Sequence, residues 1–213
     1  MRILTALALT LFTSLAGAQV LEVNIWKPKM GGVPGTLAAA NEARGIIEKA
    51  GGGASIGVDL DGNVHFATYH DNWAGWAKQA AKLEKDKAWS AFLAKWNSDP
   101  SAELVENYLL NTPVAGDDDG EVYQVFIWEA EPGRVADMMK AGAEAKALHE
   151  KDGAAVSIHV DQMNRMHYAM SFADWDAWAK FQDADHPEFE AWMSKRQQDP
   201  TARLVKVYTA SSP

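Results

Sequence analysis

No cysteine occurs among the 213 residues, so the chain can form no disulfide, no thiolate zinc or iron–sulfur site and no cysteine nucleophile. Basic residues are scarce as well: 20 Lys and Arg stand against 29 Asp and Glu, a net charge of −9. Nucleic acids and anionic membranes are bound through basic surfaces, so neither is an expected partner. Beyond residue 18 no apolar run is long enough to cross a bilayer. The motifs GxGxxG, GxxxxGK[ST], HExxH and GxSxG are all missing. What is there, 47% hydrophobic residues over this length, is ordinary globular composition with enough chain for one large domain or two small ones.

The amino terminus reads as an address. Arg2 precedes an uncharged run from Ile3 to Leu15, and Ala16-Gly17-Ala18 supplies the small residues of an A-x-A cleavage site. Thirteen residues are too few to span a hydrocarbon core of roughly 30 Å. A signal peptide over residues 1–18 is therefore expected, and with it a periplasmic or secreted protein.

The rest of the chain is one unit written twice. A shift of 102 lays residues 55–78 on 157–180 with ten identities in 24 positions, among them His65 on His167 and Trp76-Ala77-Lys78 on Trp178-Ala179-Lys180. A shift of 100 lays Asp99-Pro100 on Asp199-Pro200, Leu104-Val105 on Leu204-Val205 and Tyr108 on Tyr208. Repeats of this length are tandem domains rather than solenoid units. The expected division is a first repeat over 19–113, an acidic, glycine-bounded linker over 114–120, and a second repeat over 121–213.

Each repeat reads as strand, helix, strand, strand, helix, helix, strand. Leu21 to Trp26 and Val122 to Trp128 alternate as half-buried strands. The helices that follow run out in Gly51-Gly52-Gly53 and at Gly153. Two-residue turns at Asp61-Gly62 and Met163-Asn164 are expected to close the hairpins. Asn72 and Asp174 suit the N-caps of the next helices. The order is ferredoxin-like βαββαβ, an α+β fold with a four-stranded antiparallel sheet in each repeat.

The run Ser171-Phe172-Ala173-Asp174-Trp175-Asp176-Ala177-Trp178, followed by His186-Pro187-Glu188-Phe189-Glu190-Ala191-Trp192, resembles the dimeric α/β-barrel superfamily, and within it the antibiotic-biosynthesis-monooxygenase type of domain. The resemblance covers both repeats. It implies sheets packed face to face as an α/β-barrel, here within one chain as a monomeric pseudo-dimer. It also implies a ligand cavity between helices and sheet, where Trp76 and Trp178 match the superfamily's helix tryptophan. Fold alone does not carry a reaction; any chemistry here would be cofactor-free oxygenation or proton transfer. The haem-degrading branch uses a His that falls here on Leu93 or Met193, and an Asn matched by Asn24 but replaced by Phe126 in the second copy. No cofactor is therefore expected.

Individual residues carry two readings each. Trp26 and Trp128, with Trp76 and Trp178, either fill space between helices and sheet or line a cavity for a flat apolar ligand. His65 and His167 are either hydrogen-bonded structural residues or acid–base groups facing that cavity. In the second hairpin, a two-residue turn would set His159 opposite Tyr168 with Met166 and Met170 on the same face, a soft site for Cu(I). The methionines are equally good core filler, and no metal is assigned. The expected function is binding of a small apolar or aromatic molecule by Asn24, Trp26, Trp76, Trp128 and Trp178, with His65 and His167 as catalytic candidates. The alternatives are a ligand carrier or a structural module without chemistry.

Overall fold

The computed structural model describes residues 20–116 and 120–213. The expected signal peptide and Asp117-Asp118-Asp119 of the expected linker lie outside the described residues. The first repeat comprises β1 (Val20–Pro28), α1 (Val33–Lys49), β2 (Gly53–Asp59), β3 (Val64–His70), α2 (Trp73–Glu84), α3 (Lys87–Ser98) and β4 (Ala102–Val114). The second comprises β5 (Val122–Ala130), α4 (Val135–Lys151), β6 (Ala155–Asp161), β7 (Met166–Phe172), α5 (Trp175–Asp183), α6 (Pro187–Arg196) and β8 (Ala202–Ser211). Val114 thus ends a strand, paired with Ile158, rather than opening a linker.

Local chemistry sets the helix ends. Asn72 and Asp174 accept hydrogen bonds from the backbone N–H groups of Gly75 and Ala177 at 2.9 and 2.7 Å, so α2 and α5 start where the sequence expects. Pro34 and Pro187 lie in the first turns of α1 and α6, where a missing N–H costs nothing.

The eight strands close a barrel in the order β1-β3-β2-β8-β5-β7-β6-β4. Each repeat contributes an antiparallel sheet of ferredoxin-like order, and two short seams join them. β2 meets β8 at Val58 with Ser211 and Asp59 with Ala210; β4 meets β6 at Leu110 with Asp161 and Asn111 with Val160. The strands alternate between two buried faces. Ile25, Tyr108 and Leu110 of the first repeat pack with Val125 and Ile127 of the second inside the barrel. The other face of each sheet lies beneath its own helices, with Ile56, Val64 and Phe66 in the first repeat and Val156, Ile158 and Met166 in the second.

The barrel interior records the pairing of unlike copies. Tyr208 packs on His65 and Tyr108 packs on His167, each ring reaching across to the other repeat at 4.7 and 4.6 Å. Glu106 and Lys206 occupy matching positions yet carry opposite charge, and they form a salt bridge. Two identical copies would bring like charges together there. Burial alone would raise the Glu106 carboxyl, but hydrogen bonds from Lys206 and Tyr108 outweigh it and hold the group below its ordinary value.

The hairpins differ from expectation by one residue. Asp59 N–H bonds the Asn63 carbonyl at 3.0 Å, and Asp161 N–H bonds that of Arg165 at 3.1 Å, so each loop has three residues. Gly62 and Asn164 close these loops at φ of 80° and 60°, the left-handed position a three-residue hairpin requires. One added loop residue changes the pairing parity, and every side chain beyond it changes face. His159 consequently lies opposite His167, and Tyr168 opposite Ile158. His159 points into the barrel while Met166, Tyr168 and Met170 point to the helices, so the expected His–Met copper cluster does not form.

Candidate functional site

The same parity decides where His65 and His167 go. Both lie inside the barrel, buried, and neither lines a cavity beneath the helices. Each is tied to the aspartate six residues before it: His65 Nε2 to Asp59 Oδ2 at 3.0 Å, and His167 Nε2 to Asp161 Oδ2 at 3.3 Å. Those aspartates also hold the loops. Asp59 accepts the N–H groups of Asp61 and Asn63, and Asp161 those of Met163 and Arg165, at 2.8–3.0 Å. Burial would raise both carboxyls, but these hydrogen bonds lower them. Burial lowers the His167 imidazole, only partly offset by Asp161. The expected acid–base role beside a helix–sheet cavity therefore finds no geometric basis; the histidines join loop to barrel wall.

A cavity does lie between helices and sheet in each repeat. The first, of about 560 Å³, is lined by Asn24, Trp26 and Trp76 together with Glu22, Phe66, His70, Trp89, Phe92 and Trp96. The second, of about 620 Å³, is lined by Trp128 with Phe126, His149, Tyr168, Phe181, His186, Phe189, Trp192 and four methionines. Trp178 does not line it. Its indole packs against the core beneath α5, with Nε1 buried and unpartnered among the described residues.

That departure has a local cause. In the first repeat Trp76 Nε1 donates to Glu22 Oε2 at 2.8 Å. The matching strand position in the second repeat is Gln124, whose Oε1 accepts instead from Gln182 Nε2 at 3.2 Å. The indoles should therefore differ in replaceability. Trp76→Phe removes a hydrogen-bonded N–H, whereas Trp178→Phe removes an orphan. In urea melts Trp76→Phe is expected to cost about 1–2 kcal/mol more than Trp178→Phe.

The second cavity contains a polar pair that the first lacks. His149, in the last turn of α4, is hydrogen-bonded through Nδ1 to the Tyr168 hydroxyl of β7 at 2.8 Å. Ile47 and Phe66 hold the matching positions in the first repeat. Rings close around His149, with Phe189 at 4.2 Å and Phe181 at 5.8 Å. Burial pushes its imidazole down to about 4, aided by His186, and pushes the Tyr168 phenol up. With Nδ1 protonated the imidazole donates and leaves the Tyr168 O–H free to donate to a ligand; with Nε2 protonated Tyr168 donates to Nδ1 and its oxygen can accept from one.

His186, the N-cap residue of α6, also lines this cavity. Its Nε2 meets the Phe181 carbonyl at 2.8 Å and its Nδ1 meets Asp152 at 2.7 Å. Both partners are acceptors, and they raise its pKa. The sequence reading missed the His149–Tyr168 pair because it sought residues retained in both repeats. The available signal was the opposite one, a histidine on a helix face where the other repeat carries isoleucine.

Haem would need an imidazole at the helix position the haem-degrading branch uses. Leu93 and Met193 stand there, and both line the cavities. Neither supplies an imidazole at that position. Among the described residues no group of three or more His, Asp and Glu is arranged to hold a metal ion, and no helix is long and apolar enough to cross a membrane.

The architecture is a closed eight-stranded barrel built from two ferredoxin-like repeats in one chain, the fold that the resemblance implied. Solved structures share it. A candidate monooxygenase of Fusobacterium nucleatum superposes with a TM-score of 0.64 at 10% identity, over 92% of each chain. One of Lactobacillus acidophilus gives 0.65 at 11%, over 91% of this chain and 93% of its own. An anthrone oxidase-like protein gives 0.61 at 10%, over 94% and 93%. At such identity the likeness is one of fold. No family model matches the sequence, and the comparison with curated proteins found no match.

Proposed function

We propose that this is an exported monomeric protein, periplasmic or secreted, that binds a small aromatic molecule in the helix–sheet cavity of its second repeat and oxygenates it as a monooxygenase-like enzyme without a resident cofactor. The observation that carries the reading is the His149–Tyr168 pair in a cavity of about 620 Å³ lined largely by aromatic rings and methionines. That volume suits a small ligand, and a buried hydroxyl among the rings would fix its orientation. A ligand hydroxyl against Tyr168 would lie flat between Trp128 and the rings of α5 and α6. The fold-level likeness to monooxygenase-like proteins supports the class of chemistry, with dioxygen as oxidant.

The test is dioxygen uptake with anthrone- or quinol-like substrates, beside binding measured by indole fluorescence. The informative variant is His149→Ile with Tyr168→Phe, which installs the first repeat's residues and leaves no buried polar group unpaired. Uptake is expected to disappear and affinity for a phenolic ligand to fall about tenfold, the worth of one well-placed hydrogen bond. Uptake unchanged in that variant would contradict the assignment.

One observation favours binding without chemistry. An imidazole held at about 4 is a weak base at neutral pH, so His149 serves better to orient Tyr168 than to take a proton from a phenol. Tight phenol binding with no dioxygen uptake would identify a carrier.

A further inference from the structure

We propose that the first cavity is a binding site for an organic cation, a molecule bearing an alkylated ammonium group. The inference rests on the reading of these cavities as ligand sites and adds the chemistry that distinguishes them. Four indoles line the first cavity, those of Trp26, Trp76, Trp89 and Trp96. The faces of such rings are electron-rich and attract cations, most strongly for tryptophan. The carboxylates of Glu22 and Glu84 line the same space, and no Lys or Arg does. Glu22 is fixed in place, because Trp76 Nε1 donates to its Oε2 at 2.8 Å. Its other oxygen, Oε1, accepts no hydrogen bond from the described residues. Burial lowers the His70 imidazole on the same wall, against the opposing pull of Glu22 and Asp71.

The second cavity reverses each of these features. Gln124 replaces Glu22, Phe189 replaces Trp89, and Arg196 replaces Trp96. No Asp or Glu lines it, while His186 and Arg196 do. Arg196 is paired with Glu144, so of two cavities of similar size and common origin only the first presents carboxylates with no Lys or Arg on its wall. A carboxylate retained only to satisfy an indole would not explain this. The matching indole in the second repeat is buried without a partner, and that repeat folds alike.

The experiment uses the whole protein and two probes titrated by calorimetry: phenyltrimethylammonium, a cation without the hydroxyl that Tyr168 would hold, and the uncharged 4-tert-butylphenol. Glu22→Gln keeps a carbonyl acceptor for Trp76 and removes the charge. Trp96→Arg installs the second repeat's residue at a half-buried position and serves as an independent variant. The cation is expected to lose about tenfold in affinity in either variant, while 4-tert-butylphenol, held beside Tyr168, is unaffected. A cation that binds parent and Glu22→Gln equally overturns the inference and leaves the second-cavity reading standing if the phenol still binds. Failure of both probes to bind the parent overturns the two together.

Discussion

Lowering the pH from 6.5 to about 4.5 is expected to remove on the order of 5 kcal/mol of folding stability, the largest single effect this structure foretells. The cause is buried imidazole. His149 and His159 are both pushed down to about 4 by burial, and burial lowers His167 as well. His159 is held neutral among Thr112 and Ser157, each at 2.9 Å. An unfolded chain protonates its histidines below about pH 6.5, whereas the folded chain resists until near pH 4. In that window the unfolded state binds more protons, so stability falls as pH falls, by about 1.4 kcal/mol per pH unit for each such histidine. The lowered carboxyls Asp59, Asp161 and Glu106 act further down: their contribution is complete above the ordinary carboxylate range and is lost as pH drops through their folded values. His186 opposes the trend, since its raised pKa favours the folded state at lower pH and that contribution is lost as pH rises. Urea midpoints measured across pH 7 to 4.5 check the slope. In His149→Ile with Tyr168→Phe the slope should flatten by the share of one histidine, and a flat profile in the parent would contradict the burial of these groups.

Ile127→Ala is expected to cost about 3 kcal/mol, the ordinary penalty for emptying a closely packed isoleucine site. Ile127 is 1% exposed and packs in the cluster that also contains Ile25, Tyr108 and Leu110 of the other repeat. The cavity would therefore open between the repeats rather than within one. A truncation in the second repeat should lower the stability of the first by the same amount, visible as a single shifted urea transition. The same change at a position in the second repeat's own outer core, such as Val156→Ala, would empty a site beneath α4 and not at the shared face.

The repeat, the element order and the helix caps were legible because they rest on local rules. Asn72 and Asp174 cap helices through their own side chains, and the tryptophan pairs give the register of the two copies directly. The inward and outward faces of the hairpins were less legible. A turn of two residues and one of three differ by a single position, yet that position sent His65, His159 and His167 into the barrel and gave Tyr168 to the second cavity. The loop length is fixed by Asp59 and Asp161, whose carboxylates gather N–H groups from two and four residues on, a role that an acidic residue near a turn signals only weakly. Asn24, Trp26, Trp76 and Trp128 line the cavities, as the resemblance and the match between the repeats implied. Trp178 does not, because its place depends on whether the strand beneath it carries Glu or Gln. The charge reversal at Glu106 and Lys206 was present in the sequence but acquires meaning only when the barrel brings the two matching positions together.

Native-state hydrogen exchange on the parent and on Ile127→Ala addresses the clasp of the two repeats most directly. With one shared interior, the slowest amides of β1 and β3 and those of β5 and β7 should open with the same free energy in the parent and lose the same amount, about 3 kcal/mol, in the variant. Faster exchange confined to residues 120–213, with residues 20–116 unchanged, would mean that the repeats are stable separately and that the closed barrel does not govern this protein.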